Sequence, residues 1–138
     1  MVFAGQGDRS EPKSSVSQLC SFLSESAQSP LKRYTPAGAD IDAVFDVRAV
    51  FQQSHHTLPI TALSGLLFPP KGRYGMRDYE KAFCALAEEK QSIYTLRNID
   101  REHGCLVVVR PDQYIAHILP LGDTDALAAF FGGFMRDA

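Results

Sequence analysis

No Cys-x-x-Cys pair occurs in this sequence. Its three cysteines, Cys20, Cys84 and Cys105, are widely separated, so a redox dithiol is excluded and the thiols are expected to be reduced and buried. None has a Cys or His at zinc-ligand spacing except the weak pair His103 and Cys105, so no metal is expected. Long hydrophobic runs are missing too. Nothing approaches the ~20 apolar residues of a membrane span, and no secretory signal precedes Gln6, so the expected location is cytoplasmic, with no membrane partner. Charge of one sign is equally scarce. Fourteen basic and sixteen acidic residues leave a net charge of −2, and without a basic stripe nucleic acid is not an expected partner.

What is present is the material of one globular domain. The 138 residues are 45% hydrophobic and 22% charged, enough for a core and too short for two ordinary domains. The last third is the most legible part. Residues 105–110 form a β-branched run, Arg110-Pro111-Asp112-Gln113 is a turn, and residues 113–119 form a second strand stopped by Pro120 and Gly122. Asp123 or Thr124 then caps a helix with Leu127, Phe130, Phe131 and Phe134 at i, i+3, i+4 and i+7.

Upstream, residues 1–5 read as the end of a strand and 6–13 as a polar loop. Ser14 or Ser15 caps a helix whose apolar face is Val16, Leu19, Cys20, Phe22 and Leu23. Residues 31–39 look irregular. Residues 42–52 give the clearest strand, with Phe45, Val47, Ala49 and Phe51 on one face and Asp46, Arg48 and Val50 on the other. A loop at 53–58 carries His55 and His56, and Pro59 opens a short helical turn through Leu63. Two prolines and two glycines exclude regular structure over 68–75. Asp78 is expected to cap a long helix from Tyr79 to about Asn98, with Ala82, Phe83, Leu86, Ile93 and Leu96 as its stripe. The resulting order, β-α-β-α-β-β-α, is the thioredoxin-like plan: an α/β fold with a central mixed sheet flanked by helices.

Four stretches carry more than a pattern: VVVRPDQYIAHILPLGDTDALAAFFGGF (residues 107–134), LLFPPKGRYGMRD (66–78), the opening VFAG and VFDVRAVFQQSH (44–55). Together they resemble the C-terminal domain of phenol 2-monooxygenase-type FAD-dependent aromatic hydroxylases. The resemblance implies a thioredoxin-like domain without a dithiol that contributes dimer contacts and does not carry the flavin chemistry. This sequence has no GxGxxG motif or other flavin-binding segment, so no cofactor is expected. The resemblance implies a homodimer or contact with a flavin monooxygenase. It departs from the family between Asp78 and Gly104, where a plain helical run replaces a stretch richer in Gly and His. The start at Met1, inside the first strand, leaves an excised domain and a free-standing product both open.

Several residues are candidates for chemistry. His55, His56 and His117 could serve as acid or base, although a polar loop and a packed strand histidine are the simpler readings. Arg48, Arg73 and Arg110, with Tyr74, could hold the oxyanion or carboxylate of a phenolic small molecule. Bracing of their own turns, or pairing with Asp46, Asp78 or Asp112, is the simpler reading. Phe130, Phe131 and Phe134 exceed what one helix stripe needs and suggest an interface beside the core. The first functional reading is a non-catalytic association module. The alternative is a cofactor-free isomerase, cyclase or dehydratase of phenolic or polyketide substrates. A thiol oxidoreductase is third, because the fold suggests it and the cysteine spacing denies it.

Overall fold

A computed structural model of the chain describes residues 1–8, 13–86 and 89–138. It is a thioredoxin-like α/β domain built on a five-stranded mixed sheet. Strand β1 (Val2–Phe3) is central, with β2 (Ala49–Phe51) parallel on one side and β6 (Cys105–Val109) antiparallel on the other. Strand β7 (Ile115–Leu119) pairs with β6 and forms one edge; β5 (Ala82–Cys84) pairs parallel with β2 and forms the other. Helices α1 (Ser15–Glu25), α2 (Pro30–Tyr34) and α4 (Thr124–Gly132) contribute to the main core. Among the described residues the opposite face carries a small cluster around Phe3, Val50, Tyr94 and Val107, over which sits a single turn, α3 (Ile93–Leu96).

Alternation decides this division. Val2, Ala49, Phe51, Leu106 and Leu119 enter the main core, and their neighbours Phe3, Val50 and Val107 enter the other cluster. The buried Tyr94 hydroxyl lies 2.8 Å from the carbonyls of both Ala4 and Val50, so its one proton is shared across β1 and β2. Burial pushes this phenol above its ordinary value of 10.0.

Local signals place the helix starts. Ser14 accepts from the Ser17 amide at 3.1 Å, and Asp123 accepts from Ala126 at 3.1 Å. Ser29 caps α2, with Pro30 as its first residue and Ser29 Oγ donating to Leu23 O at 2.6 Å. The 31–39 stretch is therefore helical at its start, a Ser-Pro signal that the expectation of irregular structure overlooked.

Two further expectations are corrected. The strand expected over 42–52 is a ladder only at Ala49–Phe51, although Phe45 and Val47 do pack on the main core. The helix expected from Tyr79 to about Asn98 is absent over residues 79–86 and reduced beyond 89 to a 3-10 turn and Ile93–Leu96; residues 87–88 lie outside the described residues. Asp78 accepts from Glu80 N at 2.8 Å, a turn bond two residues on rather than a helix cap. Residues 82–84 instead join β2, with Ala49 N donating to Lys81 O and Ala85 N to Phe51 O, each at 2.8 Å. The ladder bonds available at β2's free side outweigh a local helical stripe. The 68–75 stretch also contains order: β3 (Pro70–Lys71) and β4 (Met76–Arg77) form a small hairpin whose tip glycines, Gly72 and Gly75, both have φ of +61°. These glycines shape the turn rather than forbid structure. No helix among the described residues is long and apolar enough to cross a membrane.

Candidate functional site

Helix α4 buries Leu127 and Phe131 and turns the rest of its aromatic face toward β7. Phe131 meets Phe45 edge-on at 4.9 Å, and Phe45 in turn lies 6.4 Å from Tyr34 of α2. Phe130 is half-buried and stacks flat on His117 of β7, with ring centres 4.8 Å apart. Phe134, one residue beyond the C-cap Gly133, touches both Phe130 and Phe131 and is 64% exposed. The chain end is strapped to α2 by Arg33–Asp137 at 2.9 Å and by Ala138 N donating to Arg33 O at 3.0 Å. Of the three phenylalanines, Phe131 is core, Phe130 is the wall between core and surface, and Phe134 is the exposed end.

The aromatic row borders an apolar hairpin. A turn at Arg110–Gln113 joins β6 to β7. Gln113 takes φ of +69°, and the bonds Gln113 N to Arg110 O (2.8 Å) and Arg110 N to Tyr114 O (2.9 Å) close the hairpin. Beyond the turn, Tyr114, Ile115 and Ile118 are exposed. A register shift between Val108 and Val109 marks a bulge. Phe134, Phe130 and His117 on the α4 side and Ile115 and Ile118 on the opposite side flank the β7 edge, which is the candidate interaction site.

Apart from Arg110 in the hairpin turn, the candidate ligand-binding side chains lie elsewhere, and all of them are engaged locally. Arg48 holds Asp46 at 2.7 Å, and Arg110 holds Asp112 at 2.6 Å. Arg73 donates to the Tyr74 hydroxyl at 2.8 Å and covers its ring. His55 and His56 are exposed and touch each other, with ring centres 3.8 Å apart. Apart from the Arg73–Tyr74 and His55–His56 contacts between sequence neighbours, no hydrogen bond, ion pair or ring contact among the described residues joins one of these groups to another or to His117. Likewise, no cluster of three or more His, Cys, Asp and Glu is placed to hold a metal ion.

The sequence reading missed the principal charged cluster. Lys81 is 3% exposed and lies 2.5 Å from Asp46, 2.8 Å from Asp42 and 3.5 Å from Asp78. Lys71 also reaches Asp42 at 2.8 Å. Burial alone would lower Lys81, but the hydrogen bonds it donates to Asp42 and Asp46, with their charges, outweigh it and raise its pKa. Burial alone would raise both Asp42 and Asp46; the lysines, and Arg48 at Asp46, hold both below 3.8. The cluster fastens the 42–48 loop to the start of β5. The helix expected from Tyr79 puts Lys81 on a helix and hides this cluster; its one sequence signal is a Lys three residues after Asp78. The cysteines are partly as expected. Cys20 is buried, and burial pushes its thiol up to about 11, with Ser64 only partly opposing. Cys84 and Cys105 are half-buried, and burial raises both, so none of the three is an activated thiolate.

A family model described as "Phenol hydroxylase, C-terminal dimerisation domain" matches residues 1–138. The chain is 54% identical over 136 residues to a 3-hydroxybenzoate 4-monooxygenase of Comamonas testosteroni, covering 98% of this chain and 21% of that protein. It is 29% identical over 139 residues to the FAD-dependent monooxygenase terD of Aspergillus terreus, covering 99% of this chain and 22% of that protein. The chain thus spans about a fifth of the length of these curated relatives.

Proposed function

Since the chain belongs to the phenol hydroxylase C-terminal dimerisation domain family, we propose that it is an association module of a flavin-dependent aromatic hydroxylase. In this role it supplies contacts between copies and leaves the flavin chemistry to other parts of such an enzyme. The observation that carries this reading is the set of apolar side chains around the β7 edge: exposed Phe134 beyond half-buried Phe130 and His117 on one face, and exposed Ile115 and Ile118 on the other. Isolated exposed apolar residues are ordinary, but their gathering on both faces of one open edge strand marks a contact. Similarity to two monooxygenases over nearly the whole chain points the same way. The histidine and arginine candidates support the cofactor-free enzyme less well, because each is held by its immediate sequence neighbours or packed rather than aimed at a common point.

Light scattering across a dilution series of the purified chain tests this. A reversible dimer is expected. A strict monomer up to millimolar concentration would refute the reading.

A further inference from the structure

The two edges of the main sheet are unlike. Strand β5 is three residues long and follows directly on Lys81, whose ammonium is turned inward onto Asp42 and Asp46. A short strand beside an inward charge is one of the ways in which proteins guard a sheet edge. Strand β7 carries a bulge at Ala116 near its start but no inward charge. Its five residues, Ile-Ala-His-Ile-Leu, contain no Lys, Arg, Asp, Glu or Pro, and its outer side is unpaired among the described residues.

The ladder fixes which groups are free. Val107 exchanges both its backbone bonds with Met1, donating to Met1 O and accepting from Met1 N, each at 2.8 Å. Its N–H and C=O therefore face away from β7. Antiparallel pairs alternate, so Val107↔Ile118 is a pair without ladder bonds, flanked by the bonded pairs Leu106↔Leu119 and Val108↔His117. The N–H and C=O of Ile118 consequently point outward, at the open edge. Its side chain lies 57% exposed beside Val107, and Ile115 is 63% exposed.

We propose that β7 is the seam of a two-fold dimer: the β7 edges of two copies of this chain pair antiparallel, making one continuous sheet through both. This rests on the association reading above and assigns it a surface. A two-fold contact must be self-complementary, and an antiparallel edge pair satisfies that condition with the same strand on both sides. No charged side chain within β7 opposes its own copy. The area is also adequate. Val109, Tyr114, Ile115, Ile118 and Phe134, at about 200 Å² each and a little over half open, present roughly 600 Å² per copy. The strand backbone, Ala116 and His117 bring this near the ~800 Å² per partner of a standard interface.

Hydrogen exchange and light scattering on the wild-type chain and on Ile118→Lys test the seam together. In the wild type, the Ile118 amide should exchange at least about tenfold more slowly above the dimer dissociation constant than below it. Ile118→Lys places a charge on both copies at the seam and removes two isoleucines from burial, so it should raise that constant at least about a hundredfold. Ile115→Lys, also at an exposed position, should act in the same direction and covers the case in which Ile118→Lys does not fold. A wild-type dimer whose Ile118 amide exchanges equally at all concentrations overturns the seam and leaves association through another surface. A wild-type chain that stays monomeric overturns the association reading itself.

Discussion

Replacing Lys81 by Met keeps most of the side-chain volume and removes the charge. The Lys81 side chain is 4% exposed and that of Asp42 is 6% exposed, so their ion pair is buried. Removing one partner of such a pair costs about 3–5 kcal/mol, because the other charge stays buried and uncompensated. Two contacts soften the loss here. Lys71 remains 2.8 Å from Asp42, and Arg48 remains 2.7 Å from Asp46. The expected cost is therefore about 2–3 kcal/mol, a large share of a typical domain's total stability. In urea, with a slope of about 1.5 kcal/mol/M, the midpoint should fall by about 1.3–2 M. Acid dependence gives a second readout. Asp42 and Asp46 are held below their ordinary 3.8. Their contribution is therefore complete above that value and is lost as pH falls through their lower folded values. The Lys81→Met chain should show a smaller loss over that range. Adding Asp42→Leu should recover at least half of the stability, since the orphaned charge is then gone. A Lys81→Met midpoint within about 0.3 M of wild type would show that the cluster does not anchor β5.

Two backbone-level perturbations probe the other side of the sheet. Gly104 has φ of +66°, and a Cβ there would stand 2.1 Å from the carbonyl oxygen of Phe3. Gly104→Ala should cost more than about 2 kcal/mol by urea denaturation, whereas Gly38→Ala, with φ of +82° in open space, should cost only about 1 kcal/mol. Tyr94→Phe should cost about 1 kcal/mol in the same assay, because Ala4 O keeps Gln52 Nε2 at 3.0 Å and Val50 O keeps Ala4 N at 2.9 Å. A loss above about 3 kcal/mol would mean that one of these carbonyls has no other donor.

Sequence sufficed for most of the local chemistry, the Ser29-Pro30 start of α2 being the exception. The Arg110–Gln113 turn follows from Pro111 and Asp112, the α1 start from Ser14, and the α4 start from Asp123. The alternation through 45–51 assigned Phe45, Val47, Ala49 and Phe51 to the main core, even though only two of these four, Ala49 and Phe51, join a ladder. The motif stretches also carried the family, because they extend along nearly the whole chain. Three-dimensional structure decided what depends on a partner distant in sequence. Residues 82–84 are a strand because β2 offers free ladder groups, which no property of Ala-Phe-Cys announces. Lys81 is buried because Asp42 and Asp46 are brought to it across 39 and 35 residues of chain. The candidate site divides in the same way. The aromatic excess of Phe130, Phe131 and Phe134 was legible as composition. Which of them is core, which stacks on His117 and which stands open follows from where α4 crosses β7. The open edge of β7 is likewise a property of the assembled sheet, since a strand's outer side exists only once its inner side has been paired.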